Sequence, residues 1–166
     1  AAGTAEPFNI YVWNLQTGKL LDVLAGHDGP IADLAFSAAN GKLASASWDG
    51  TARVWEGYKP GTSAEVFSPP ADVLAVAWRP DGKQLATSSR EGVIHFWNPE
   101  TARPDGTISG RRDIRGGRRR DAKTAALTSA EGKCFTSISY TGDGECIIAG
   151  GRSKYICLYA VAPKLL

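Results

Sequence analysis

Tryptophan sets a ruler along this chain. Trp13, Trp55 and Trp97 stand 42 residues apart, and each closes a short segment of strand-like residues: Ile10-Tyr11-Val12-Trp13, Ala52-Arg53-Val54-Trp55 and Ile94-His95-Phe96-Trp97. A fourth segment, Tyr155-Ile156-Cys157-Leu158-Tyr159, ends on an aromatic 62 residues after Trp97. A second ruler runs in step. Phe36, Trp78 and Tyr140 end the segments 31–36, 73–78 and 134–140, at gaps of 42 and 62. Two independent markers thus give one period and place the same 20-residue excess in the last repeat. No stretch shows a sustained helical period, so the chain is predicted to be all-β.

The residues between the rulers supply the turns. Asn40-Gly41, Asp81-Gly82 and Asp143-Gly144 follow the second set of segments, and such pairs provide the positive-φ positions that a hairpin demands. Small residues come next, Leu43-Ala44-Ser45-Ala46-Ser47, Leu85-Ala86-Thr87-Ser88-Ser89 and Ile147-Ile148-Ala149-Gly150, where neighbouring sheets can approach closely. A repeat of about 40–45 residues with four strands is the signature of a β-propeller blade. With the strands of a blade lettered a to d, the register opens at the end of a strand b and finishes, over 161–166, at the beginning of a strand d. Residues 1–24 then form a partial blade (end of strand b, strands c and d). Residues 25–67 and 68–109 form one blade each, 110–133 a basic insertion in the d–a loop, and 134–166 a blade whose last strand is incomplete. The expected fold is a propeller fragment, a little over three four-stranded blades of a ring of the seven-bladed type. Propellers close with roughly four to eight blades, so this piece is not expected to close a ring alone.

Composition narrows the function. The chain has 166 residues, 43% hydrophobic and 22% charged, ordinary for a globular protein with a real core. No apolar run approaches the roughly 20 residues that span a bilayer. The absence of methionine and the Ala1-Ala2-Gly3-Thr4 opening suggest a chain cut from a longer one, so nothing is inferred about targeting. Cys134, Cys146 and Cys157 are odd in number, and their spacings fit no zinc motif. They read as buried free thiols of a reducing compartment, cytosol or nucleus. The net charge of +2 hides an uneven spread: seven Lys/Arg and two Asp fall between Arg111 and Lys123, leaving the remainder mildly acidic.

Gly26-His27 precedes the segment 31–36, and Ser45-Ala46-Ser47-Trp48-Asp49 leads into Val54-Trp55. These residues resemble the WD40 family, whose His, strand-b Ser or Thr, b–c turn Asp and strand-c Trp form a hydrogen-bonded tetrad. The resemblance implies that role for His27, Ser45 or Ser47, Asp49 and Trp55. Buried polar groups of these kinds must satisfy one another, because no water reaches them. The same residue types spell a Ser/His/Asp hydrolase triad. There is no Gly-x-Ser-x-Gly elbow, however, and the repeat accounts for all of them, so no catalytic, cofactor or metal site is expected. The other blades depart from the pattern. Glu91 stands six residues before Trp97, Ser153 six before Tyr159, and Ser68-Pro69 replaces Gly-His. His95 lacks companion ligands and reads as a partly exposed strand residue.

A narrower resemblance covers nearly the whole chain. Segments 10–19, 43–49 and 147–159, with the basic run beginning Gly106-Thr107-Ile108-Ser109-Gly110-Arg111-Arg112-Asp113, are similar to the periodic tryptophan protein 2 family. That family has tandem propellers and a helical C-terminal region, and belongs to the small-subunit processome, the nucleolar particle that assembles on early pre-ribosomal RNA. The resemblance implies a place in the second propeller and a location in the nucleus, in the nucleolus. It implies a non-catalytic scaffold supporting pre-rRNA processing, within a large hetero-oligomeric complex whose partners are other WD40 and helical proteins. No membrane and no small-molecule substrate are expected. Two alternatives stand beside it: a protein-interaction subunit of another complex, such as a ubiquitin ligase receptor or a chromatin assembly, and an autonomous RNA-binding module.

The basic insertion bears on that choice. The register holds through Gly110, so the extra residues lie between Gly110 and Tyr140, on the face that carries the b–c turns. Three readings are open: a solvated loop, an anchor on RNA or an acidic protein surface, and a localisation signal. Arginine outnumbers lysine six to one here, which favours bidentate phosphate or carboxylate contacts. Arg111, Arg112, Arg115, Arg118, Arg119, Arg120 and Lys123 are the candidate contacts to pre-rRNA, snoRNA or an acidic partner. No aromatic interleaves the arginines, so base stacking from this segment is not expected.

Overall fold

A computed structural model of the chain describes residues 1–3, 6–56, 65–111, 134–152 and 155–161. Fourteen strands make four antiparallel meanders among these residues. The first sheet holds β1 (Ala2–Gly3), β2 (Ile10–Trp13) and β3 (Leu20–Leu24). The second holds β4 (Ile31–Phe36), β5 (Leu43–Ser47), β6 (Ala52–Trp55) and β7 (Glu65–Phe67). The third repeats it with β8 (Val73–Trp78), β9 (Leu85–Ser89), β10 (Val93–Trp97) and β11 (Pro104–Ser109). The fourth holds β12 (Phe135–Tyr140), β13 (Cys146–Gly151) and β14 (Cys157–Ala160). The all-β propeller expectation holds, Trp55 and Trp97 each ending the third strand of a four-stranded sheet and Trp13 the middle strand of the first.

The first strands of the last three sheets, β4, β8 and β12, pack side by side, and the sheets fan out from that line. Burial follows the pleat. In β5, Leu43 belongs to the core shared with the first sheet, whereas Ala44 and Ala46 face the third. Both faces of β5 and β9 are covered, and every residue in them is buried. Three inter-blade cores result: Ile10 and Val12 against Leu43 and Trp55; Val54 and Phe67 against Val76, Trp78 and Trp97; Ile94 and Phe96 against Phe135, Ile138 and Ile147.

Local chemistry repeats with the register. Asn40, Asp81 and Asp143 each accept the backbone N–H two residues on, at 3.0 Å, and the following glycines adopt φ of 71°, 72° and 74°. A side-chain carbonyl or carboxylate thus completes each turn, and glycine supplies the left-handed step. In β4, β8 and β12 the ladder shifts register at the same place, between Ile31 and Asp33, Val73 and Ala75, and Phe135 and Ser137. Polar bonds then join blade to blade. The Val76 N–H donates to Asp33 Oδ2 at 3.0 Å, Trp78 Nε1 to the Ala35 carbonyl at 3.1 Å, and Ser88 Oγ to the Phe135 carbonyl at 2.9 Å.

Candidate functional site

The polar cluster of the second blade is assembled from a loop, two strands and a turn. His27 comes from the loop between β3 and β4, Ser45 from β5, Asp49 from the β5–β6 turn and Trp55 from the end of β6. Trp55 Nε1 donates to Ser45 Oγ at 3.0 Å, Ser45 Oγ meets His27 Nε2 at 2.7 Å, and His27 Nδ1 meets Asp49 Oδ2 at 2.7 Å. An indole N–H can only donate. Ser45 therefore accepts from Trp55 and gives its own proton to Nε2, which leaves the His27 proton on Nδ1, facing Asp49. The ring is neutral in this arrangement. Burial lowers the His27 pKa below its ordinary 6.5, against the opposing pull of Asp49. Burial alone would raise the Asp49 carboxyl. The Thr51 hydroxyl, the His27 ring and the backbone N–H groups of Asp28 and Thr51 outweigh it, holding that carboxyl at about 2.

Ser47 sits elsewhere. Its hydroxyl donates to the Gly29 carbonyl at 3.0 Å and accepts the Asp49 N–H at 3.2 Å, which fixes the loop and the turn rather than joining the His–Trp chain. Thr51, which the motif did not single out, belongs to the cluster: its hydroxyl donates to Asp49 Oδ1 at 2.6 Å and lies 3.2 Å from His27 Nδ1. The signal was present in Asp49-Gly50-Thr51, since an Asp in a tight turn recruits the donor two residues on.

The Ser45, His27 and Asp49 contacts reproduce the distances of a hydrolase triad, so access decides what they can do. Ser45 is fully buried, and its oxygen is already the acceptor of the Trp55 indole. A nucleophile so enclosed cannot meet a carbonyl carbon. The cluster ties a loop, two strands and a turn together.

The third blade keeps half of this chain, with Trp97 Nε1 donating to Thr87 Oγ1 at 2.9 Å. His95 is half-buried and stacks on Trp97, ring centroids 6.0 Å apart. Its pKa is lowered by burial. Cys134 and Cys157 are buried free thiols and Cys146 is a half-buried one. Among the described residues no group of three or more His, Cys, Asp or Glu is placed to hold a metal ion. Nor is any helix among them long and apolar enough to cross a membrane.

Of the basic segment, Arg111 is described. Its Nε donates to the Glu91 carbonyl at 3.1 Å and its guanidinium pairs with the Glu91 carboxylate, which ties the start of the insertion to the β9–β10 turn. Arg112, Arg115, Arg118, Arg119, Arg120 and Lys123 lie outside the described residues. On the same side, Trp48 stands exposed beside Asp49 in the β5–β6 turn, its N–H held by the Pro30 carbonyl at 3.1 Å.

The family model "WD domain, G-beta repeat" matches residues 18–56 and 61–98. Each match reaches the end of a third strand and begins ahead of the last strand of the preceding sheet, so the sequence repeat is offset from the blade and links two of them. Over 166 residues, all of this chain, it is 46% identical to "Periodic tryptophan protein 2 homolog" of Mus musculus. Over 165 residues it is 45% identical to "Periodic tryptophan protein 2" of Saccharomyces cerevisiae and 46% identical to that of Arabidopsis thaliana, 99% of this chain in each case. The chain spans 18% of the length of each of these relatives.

Proposed function

We propose that this WD40-repeat chain, homologous along its whole length to periodic tryptophan protein 2, acts as a non-catalytic scaffold segment in the nucleolar small-subunit processome. There it would support pre-rRNA processing and assembly of the small ribosomal subunit. The observation that carries this reading is the identity of 42–46% over nearly every residue of the chain, insertion included, to relatives of that one name. A second observation fits it. In the cluster with hydrolase residue types, Ser45 and His27 are buried inside a blade, where they hold structure. The described surface instead offers turns and loops on a rigid frame, the usual means by which such frames hold partners.

The partners proposed are other WD40 and helical proteins of the particle. The arginines from Arg111 onward are the proposed contact to pre-rRNA, snoRNA or an acidic protein. Purification of the tagged full-length protein from nuclear extract tests the reading. Early pre-rRNA and small-subunit assembly proteins should co-purify, and depletion should leave uncleaved precursor RNA with a deficit of small subunits. Recovery of cullin adaptors or histones instead, with rRNA processing intact, would overturn it.

A further inference from the structure

The turns between the second and third strands of the last three blades are held alike. The N–H of Trp48 donates to the Pro30 carbonyl at 3.1 Å, that of Arg90 to the Asp72 carbonyl at 2.9 Å and that of Arg152 to the Cys134 carbonyl at 3.3 Å. Positions 48, 90 and 152 thus keep the ruler's intervals of 42 and 62, and set one side chain per blade on the same face. Those side chains are an indole and two guanidiniums. Trp48 is 52% exposed and belongs to none of the three inter-blade cores, so the fold itself makes little use of its ring. Its turn ends the second blade, which the first and third blades flank with cores on both sides. The backbone beneath the indole is braced. Ser47 Oγ donates to the Gly29 carbonyl at 3.0 Å, and the Asp28 N–H to Asp49 Oδ2 at 3.0 Å. Gly29 lies so close that a Cβ there would stand 2.9 Å from the Asp49 nitrogen.

The cations on this face are Arg90, Arg111 and Arg152. Arg90 lies 3.2 Å from the Asp72 carboxylate, and Arg111 pairs with Glu91. A guanidinium carries five N–H donors, more than one carboxylate engages, so each can hold a phosphate oxygen as well. The arginine-rich run has no aromatic of its own, and Trp48 supplies one on the same face. Cations beside an aromatic platform are the means by which single-stranded nucleic acid is held. A protein anchor would instead need surroundings that exclude water. The turns around Trp48 offer Asp49, Gly50, Arg90, Glu91 and Gly92, with no apolar rim. We propose that Trp48 stacks a base of single-stranded RNA whose backbone passes Arg90 and Arg111 towards Arg152. Sheets pack about 10 Å apart, so this path crosses roughly 20 Å. The proposal rests on the RNA contact read above for the arginines, and adds a contact made through a base.

Fluorescence anisotropy of the full-length protein with a labelled, unstructured RNA of about 12 nucleotides tests this, beside the same strand without its bases. Trp48→Ala should weaken binding of the base-bearing strand about fivefold to a hundredfold. Its salt slope and the affinity for the abasic strand should not move, because no phosphate contact is lost. Trp48→Phe, which keeps a ring, should recover most of the affinity. Arg90→Ser with Arg152→Ser should weaken both strands and flatten the salt slope by about 1–2. Thermal melts check that each variant keeps its fold. Unchanged binding in Trp48→Ala, or equal weakening of both strands, would overturn the stacking site. If changing Arg111, Arg112, Arg115, Arg118, Arg119 and Arg120 to Ser still weakened binding, the arginine contact would stand without it. A wild-type protein that binds neither strand would overturn both. Loss of Trp48→Ala protein from the particle at unchanged RNA affinity would make this turn a protein contact and overturn the proposal.

Discussion

Ser45 and Ser47 lie on the same face of β5, and sequence leaves open which of them meets the tryptophan. Strand parity does not separate them. Position along the hairpin does, because Ser45 is paired within the β5–β6 ladder opposite Arg53, while Ser47 stands beyond it at the turn. Ser45→Ala strands both the Trp55 N–H and the His27 Nε2, and should destabilise the fold by about 1–3 kcal/mol. Trp55→Phe removes the donor and strands no buried partner, since Ser45 can still bond His27. Its hydrogen-bond cost should be the smaller of the two in denaturant titrations, while the smaller ring adds a packing loss at this buried site. His27 and Asp49 make the cluster sensitive to acid. His27 titrates below its ordinary 6.5 in the fold, so its stabilising contribution is present above that value and is lost as pH falls through the folded value. Asp49, held at about 2 instead of 3.8, loses its share only lower, as pH falls from 3.8 towards 2. The melting temperature should therefore decline from about pH 6.5 downward, and less steeply in His27→Gln. Parallel pH profiles for the two proteins would show that the ring is no part of the acid response.

At the scale of strands, the tryptophan ruler made most boundaries legible. The segments 31–36, 43–47, 52–55, 73–78 and 85–89 read from the repeat coincide with β4, β5, β6, β8 and β9. That worked because the ruler residues end their strands, and because Asx-Gly turns fix where the next strand starts. The recurring register shift in β4, β8 and β12 was not legible, since no shared residue type marks it: Asp33, Ala75 and Ser137 occupy the same place. What the shift does shows only in three dimensions. It lets Asp33 reach across to the Val76 N–H while also accepting the Leu34 N–H at 2.9 Å. Burial raises the Asp33 carboxyl, which these two bonds partly offset. Asp33→Ala should cost about 1–2 kcal/mol through the unpaired Val76 N–H, and Asp33→Asn, which keeps an acceptor, should cost less. Equal losses in the two variants would mean that this inter-blade bond contributes little.

For the whole molecule, the body outside the insertion is mildly acidic, and the segment from Arg111 to Lys123 carries the net positive charge. If Arg111, Arg112, Arg115, Arg118, Arg119 and Arg120 meet RNA phosphates, changing them together to Ser should weaken attachment without unfolding the blades. Arg111 is the one whose native role is visible, and it is a local pairing with Glu91 on the exposed side, so its loss should shift stability by no more than about 0.5–1 kcal/mol. Each phosphate contact removed should lower the slope of log affinity against log salt by about 0.7–0.9, so the loss of three or four would flatten it by roughly 2–4. An acidic protein partner would also respond to salt. Crosslinking distinguishes the two, because only RNA contact leaves adducted nucleotides on the peptides from 111 to 123. A variant that keeps its melting temperature, loses those adducts and elutes from the particle at lower salt is the expected result. Unchanged retention with no adduct on this segment would make it a solvated insertion, and the hold on the particle would then rest with the turns and loops of the blades themselves.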